Sequence, residues 1–126
     1  MKRIIRTDLA PAAIGPYSQA VEAGGFLFVS GQIPIDPMSG ELETGSIEKQ
    51  TERVINNITG ILNSANMSID NVVKTTLYLA DINNFIKVNN IYSQIFKTSL
   101  PARACIEAAA LPKGVGVEMD VIAYRG

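Results

Sequence analysis

The chain has 126 residues, 47% of them hydrophobic and 18% charged, with a net charge of −1, one cysteine and no histidine or tryptophan. That length fits one folded domain spanning 1–126, and the near-neutral balance gives no electrostatic reason to expect a nucleic-acid or anionic-membrane partner. Without histidine the Ser-His-Asp and Cys-His nucleophile designs and the usual zinc sites are excluded, so acid–base work falls to carboxylates, tyrosines, lysines, water or the backbone.

In chain order, "MKRIIRTDLAPAAIGP" is basic but lacks the apolar run of a signal peptide, and "RIIRT" reads as a short strand. "SQAVEAGGFLFVSGQI" reads as two strands joined by a tight Gly24-Gly25 turn. "PIDPMSGELETGS" is loop, punctuated by Pro34, Pro37, Gly40 and Gly45. Ser46 is placed to cap a helix over 47–65, with Thr51, Val54, Ile55, Ile58, Ile61, Leu62 and Ala65 inward. Glu48, Glu52, Arg53, Asn56, Asn57 and Asn63 fall on its wet side. "NVVKTTLYLA" alternates as a strand with Val73, Thr75, Leu77 and Leu79 on one face. Asp81 can cap a second helix over 83–97, with Phe85, Val88, Tyr92, Ile95 and Phe96 inward. A strand over 102–109, the turn "LPKGVG" and a last strand "VEMDVIAYR" complete the chain.

This order predicts an α+β fold, a mixed sheet of about six strands with both helices on one face. Both faces of the central strands are apolar, as Phe26 and Phe28 against Leu27 and Val29 illustrate. The uncovered face is therefore expected to pack in a closed homo-oligomer. No segment approaches a membrane span and a lone cysteine makes no internal disulfide, so a reducing, cytoplasmic setting is expected. Neither the Gly-rich dinucleotide nor the triphosphate-binding motif occurs, and no cofactor or metal is expected.

Chemistry concentrates where charge meets a strand. Alternation puts Arg103, Cys105 and Glu107 on one face of their strand, and Glu118 and Asp120 on one face of the last. If those two strands pair, Arg103 comes near Glu118 and holds either it or a ligand carboxylate, or the two form a structural ion pair. Cys105 is either a thiol activated by Arg103 or, lacking a base, a small buried hydrophobe. Tyr17 is either a core aromatic with a wet tip or a site residue. Ser30-Gly31 ends a strand where a glycine permits close approach of a ligand, or simply turns the chain. Asn89, in register with Phe85 and Tyr92, is a structural bridge or a ligand contact.

The blocks "IGPYSQAV", "FLFVSGQIPIDPMSGE", "NVVKTTLYLADINNF", "VNNIYSQIF" and, above all, "PARACIEAAALPKGVGVEM" resemble the RidA (YjgF) family of reactive intermediate deaminases almost end to end. The resemblance implies a chorismate-mutase-like fold forming a trimeric barrel with clefts between subunits. It also implies hydrolysis of enamine and imine intermediates such as 2-aminoacrylate, 2-iminopropanoate and 2-iminobutyrate to 2-keto acids and ammonia. Pyridoxal-phosphate dehydratases would supply these intermediates without forming a stable complex. By motif, Arg103 clamps the substrate carboxylate, Glu118 orients or activates water, and Tyr17, Ser30, Gly31, Asn89 and Cys105 line the cleft. Proximity to Arg103 is expected to favour the Glu118 carboxylate form. Relatives often carry serine at Ala104 and glutamate at Asp120. The alternatives are a regulatory module that binds small 2-keto acids and, against the charge and the missing histidine, an endoribonuclease or translation inhibitor.

Overall fold

The hairpin signal at Gly24-Gly25 corresponds to a tight turn in which both glycines adopt positive φ, 59° and 85°. Only glycine takes two such positions in succession without strain, and the turn matches the twist of the strands it joins. In the computed structural model, which describes all residues 1–126, it connects β2 (Ala20–Ala23) to β3 (Phe26–Gln32). The other elements are β1 (Arg3–Ile5), α1 (Ile47–Ser64), β4 (Val72–Leu79), α2 (Phe85–Ile95), β5 (Ala102–Glu107) and β6 (Val117–Tyr124). They form one six-stranded sheet in the order β1-β2-β3-β6-β4-β5. Only β4 and β5 run parallel, and α2 makes the crossover that a parallel pair requires.

Ser46 caps α1 through its side chain, which accepts from the Lys49 backbone N–H. The inward stripe is as the spacing predicts: Thr51, Val54, Ile55, Ile58, Ile61, Leu62 and Ala65 are all buried. They join Leu27, Val29, Leu77, Leu79, Val88, Val117, Met119 and Val121 in one core between the helices and a single face of the sheet. Burying each large aliphatic side chain contributes about 1.5–3 kcal/mol. Asn57, expected on the wet side, is instead fully buried. Its Nδ2 donates to the carbonyls of Ile33 (3.3 Å) and Ile35 (2.9 Å), so it satisfies a loop that carries few backbone bonds of its own.

Three other expectations change. Val73 is exposed and Val72 is buried, because a register shift between Val72 and Lys74 displaces the start of β4 by one residue. The second helix opens with a 3₁₀ turn at Ile82–Asn84, capped by Asp81, and ends at Ile95, which faces solvent. The last strand does not pair with β5: β4 lies between β5 and β6. The opposite face of the sheet stays uncovered, leaving Phe26, Phe28, Ile106 and Tyr124 at 40–49% exposure.

Candidate active site

The site residues fall into two groups, held by different elements. Parallel pairing sets Arg103 against Thr75 and Cys105 against Leu77, so both side chains point to the helix side of the sheet. There α2 presents Phe85, Asn89 and Tyr92, spaced by four and three residues and therefore on one stripe. Arg103 Nη1 donates to Asn89 Oδ1 at 2.7 Å. The guanidinium carbon lies 4.8 Å from the Tyr92 ring centre and 5.3 Å from that of Phe85. Tyr92 is held in turn by a 2.8 Å bond between its hydroxyl and the buried Thr75 hydroxyl. The guanidinium is thus oriented by one hydrogen bond and two aromatic rings, while it makes no ion pair within the chain. Its remaining donors are available to a planar anion.

Cys105 sits beside this cradle, half-buried and packed against the core. Burial pushes its thiol above the ordinary value, and the Arg103 charge opposes that only in part. This is the environment of an inert cysteine, not an activated one.

Glu118 belongs to the second group. Its partner across β4 is Tyr78, whose neighbours Leu77 and Leu79 are buried, so Glu118 faces the uncovered side. Beside it β3 is irregular: Ser30 and Gly31 lie between Val29 and Gln32, whereas only Asp120 separates their partners Val121 and Met119. The bulge brings Gly31 against the Glu118 carboxylate. A Cβ at Gly31 would overlap Glu118 Oε2 and stand 3.0 Å from Cδ. Close approach at this glycine is therefore made by Glu118 itself. Tyr17 is 55% exposed, not a core aromatic. It lines two adjoining clefts of about 490 and about 300 Å³, and Gly31 and Lys113 line the smaller. Ser30 fastens the loop that carries Tyr17: its hydroxyl donates to the Ser18 carbonyl at 2.6 Å and its N–H to the Gln19 carbonyl at 2.9 Å.

Arg103 and Glu118 therefore do not meet in one chain, since they project from opposite faces of the sheet. The expectation that Arg103 would favour the Glu118 carboxylate form fails with that geometry. Burial, with a smaller contribution from Asp120, raises the Glu118 pKa above the ordinary carboxylate value. The side chain has no hydrogen-bond or ion-pair partner within the chain.

The Endoribonuclease L-PSP profile matches residues 7–125. The chain belongs to the Endoribonuclease L-PSP family. It is 53% identical to a RutC family protein of Pyrococcus abyssi over 98% of both chains. It is 48% identical to the human 2-iminobutanoate/2-iminopropanoate deaminase, covering 100% of this chain and 92% of that one. Among solved structures, a Yersinia pestis protein of the Rid family superposes with a TM-score of 0.96 at 50% identity, covering 98% and 99% of the two chains. These relatives agree with the RidA resemblance of the motif blocks.

Within this L-PSP family chain, no group of three or more His, Cys, Asp or Glu side chains is placed to hold a metal ion. Four contributors escape sequence reasoning: Phe85, Tyr92, Gln19 and Tyr78. The sequence marks Phe85 and Tyr92 only as inward residues, and their i, i+4, i+7 register with Asn89 is the signal for a cradle. Gln19 is buried and ties the loop before β2, accepting from the Thr7 N–H at 2.8 Å and donating to the Pro11 carbonyl at 2.8 Å. No local pattern announces that tie. The hydrogen bond from Tyr78 to Asp120 likewise depends on β4 lying beside β6.

Proposed function

We propose that this chain hydrolyses 2-imino acids, such as 2-iminopropanoate and 2-iminobutanoate and their enamine tautomers, to 2-keto acids and ammonia. The observation that carries this reading is that one sheet presents, on opposite faces, an oriented guanidinium without an ion pair and a partner-free carboxylate of raised proton affinity. An α-imino acid needs both: a clamp for its carboxylate and a base for the water that attacks its imine carbon. The activity named for the human relative matches that chemistry.

Arg103 receives the substrate carboxylate through its free N–H donors, and Asn89, Phe85 and Tyr92 keep the fork from rotating. Glu118 holds a water against the imine carbon and takes its proton as the C–O bond forms. The proton returns to nitrogen in the resulting carbinolamine, Glu118 takes the proton of the new hydroxyl as the carbonyl forms, and the C–N bond breaks to release the keto acid and ammonia, which carries that last proton away as ammonium. No covalent intermediate is needed, which leaves the protonated Cys105 thiol without a chemical task. Its backbone lies beside the substrate nitrogen. Orientation of the two reactants can lower the barrier by several kcal/mol, up to about 7–11 in favourable intramolecular cases, and a general base adds about 10²-fold or more. Pyridoxal-phosphate dehydratases acting on serine or threonine release such imines and are the source this reading assigns. An endoribonuclease role, suggested by the family's name, would lean on a basic surface, which a chain of net charge −1 does not favour.

Because the two groups face opposite sides of one sheet, the site forms between copies of the chain, in a closed ring for which a trimer is the expected form. Arg103 sits on edge strand β5, whose outer edge has no strand partner, and an edge of this kind is normally covered. The test is keto-acid release from an imine generated in situ by a dehydratase. Arg103→Ala should abolish the acceleration, as should Glu118→Gln. Assembling the two inactive variants together at equal amounts should restore roughly a quarter of wild-type activity, since a quarter of interfaces then join an intact Arg103 to an intact Glu118. No recovery in assemblies proven to be mixed would place both residues in one chain's site. Full activity of Arg103→Ala would sink the clamp. Tight 2-ketobutyrate binding without any rate would point to a sensor.

A further inference from the structure

The Tyr78–Asp120 pair lies on the uncovered face beside Glu118 and takes no part in the reaction outlined above. Tyr78 Oη donates to Asp120 Oδ2 at 2.8 Å. Tyr78 is the cross-strand partner of Glu118, and Asp120 is two residues beyond Glu118 on the same face of β6. Two half-buried carboxylates are thus set about 7 Å apart along one strand, and only one of them has a donor. We propose that Tyr78 and Asp120 are positioning residues for Glu118: the tyrosine fixes Asp120 as a standing negative charge, and that charge directs the proton of the pair to Glu118.

The physical argument is one of symmetry breaking. Two neighbouring carboxylates titrate as a coupled pair, and their environments decide which of them carries the first proton. A hydrogen bond donated to a carboxylate favours its charged form, and of the two carboxylates only Asp120 receives one. Glu118 has no such donor, is partly desolvated, and feels the Asp120 charge. It therefore becomes the stronger base of the two, as a water-activating group must be. The Tyr78 hydroxyl keeps its own proton, since the Asp120 carboxylate beside it raises the tyrosine pKa.

The other groups around Glu118 do not duplicate this arrangement. On β4 the same face adds Thr76 and then Lys74, which pairs with Ile122 further along the sheet. On β3 it meets Ser30 and Gly31 at the bulge and Phe28 beyond, none of which titrates. On β6 the remaining ionisable group is Tyr124, at the far end of the strand. Lys113 lines the cleft next to Gly31. On β5, beyond β4, the face carries Ala102, Ala104 and Ile106. Among the strand residues, Asp120 is the only other carboxylate on this face of the sheet.

The inference rests on the imine-hydrolysis reading for its purpose but not for its test, which is a carbon-13 carboxyl NMR titration of the intact assembled protein. In the wild type Glu118 should titrate above the ordinary glutamate range. Asp120→Asn should lower the Glu118 midpoint, and Asp120→Glu, which restores the charge, should return it close to wild type. Tyr78→Phe removes only a hydroxyl and so tests the pair even if Asp120→Asn does not fold. It should broaden the Glu118 curve as the proton becomes shared. A Glu118 midpoint unmoved by Asp120→Asn, or a Glu118 curve unchanged by Tyr78→Phe, overturns the proposal. A wild type with the expected titration but no imine hydrolysis overturns the functional reading instead and leaves the pair intact.

Discussion

Replacing Gly31 with alanine adds one methyl group where the Glu118 carboxylate sits. The three atoms nearest to a Cβ built there all belong to Glu118: Oε2, in overlap, then Cδ at 3.0 Å and Cγ at 3.4 Å. The Gly31 backbone does not adopt positive φ, so alanine is sterically permitted and the added atom must be accommodated by the glutamate. Restoring normal contact requires the carboxylate to retreat by about 1 Å or more. Misplacement on that scale costs about 10²-fold in rate, equivalent to roughly 2.7 kcal/mol of transition-state stabilisation. Stability should change little, because removing a glycine lowers the entropy of the unfolded chain by about 0.4–1 kcal/mol and offsets the local repacking. The assay is kcat/KM for dehydratase-generated imine, alongside a thermal melt. The double variant Gly31→Ala with Glu118→Gln should be no worse than Glu118→Gln alone, since both changes act on one group. A Gly31→Ala protein with undiminished kcat/KM and an unchanged melt would refute the reasoning, because the carboxylate as placed would then not be needed.

Arg103→Lys keeps the charge but loses the fork, the bond to Asn89 and the stacking on two rings. The expected loss is about 2–3 kcal/mol, or roughly 30- to 150-fold in kcat/KM, with the melting temperature unchanged because the side chain is exposed. Cys105→Ser should retain most of the activity, since burial holds the thiol protonated. A dead Cys105→Ser enzyme with an intact fold would bring the thiol back into the mechanism. Glu118→Gln should abolish activity yet raise thermal stability by roughly 1–4 °C at neutral pH. The folded-state pKa of Glu118 is raised, so the native state binds its proton more tightly than the unfolded state does. Its contribution therefore falls as pH rises from the unfolded pKa through the folded one. Neutral glutamine removes that penalty, and a melt comparison across pH 4–8 should show the gain vanish at the acid end.

Much of the fold was legible because it rests on periodicity. The seven inward residues of α1, the Gly24-Gly25 turn and the alternation of β6 each follow from local spacing, and each is present as read. What failed depended on strand neighbours. That β4 separates β5 from β6 is a property of the crossover, and nothing between residues 103 and 118 encodes it. The Val72/Val73 exchange arises from a register shift opposite another strand, and the burial of Asn57 from a loop two dozen positions earlier. The site followed the same division. Strand alternation sufficed to place Arg103 beside Cys105 and Glu118 beside Asp120. The contacts that orient them, through Tyr92 to Thr75 and through Tyr78 to Asp120, join residues 17 and 42 positions apart and exist only once the sheet is assembled.

In the proposed mechanism, placing Arg103 and Glu118 on opposite faces resolves a conflict that one face could not. Arg103 needs rigid support, and the helix side supplies an amide and two rings on consecutive turns of α2. Glu118 needs partial desolvation without a neutralising cation, and an uncovered sheet face supplies that. Were the guanidinium within hydrogen-bond reach of Glu118 in the same chain, the ion pair would lower the carboxylate's pKa and weaken it as a base. It would also occupy the donors intended for a ligand carboxylate. Separation by a sheet keeps both groups unpaired within the chain, and the proposed assembly would bring one face of β5 towards the Glu118 face of a second copy. In that proposed assembly an imino-acid substrate, with its own carboxylate, would stand between cation and base, so that the ligand satisfies the arginine and the glutamate keeps its proton affinity.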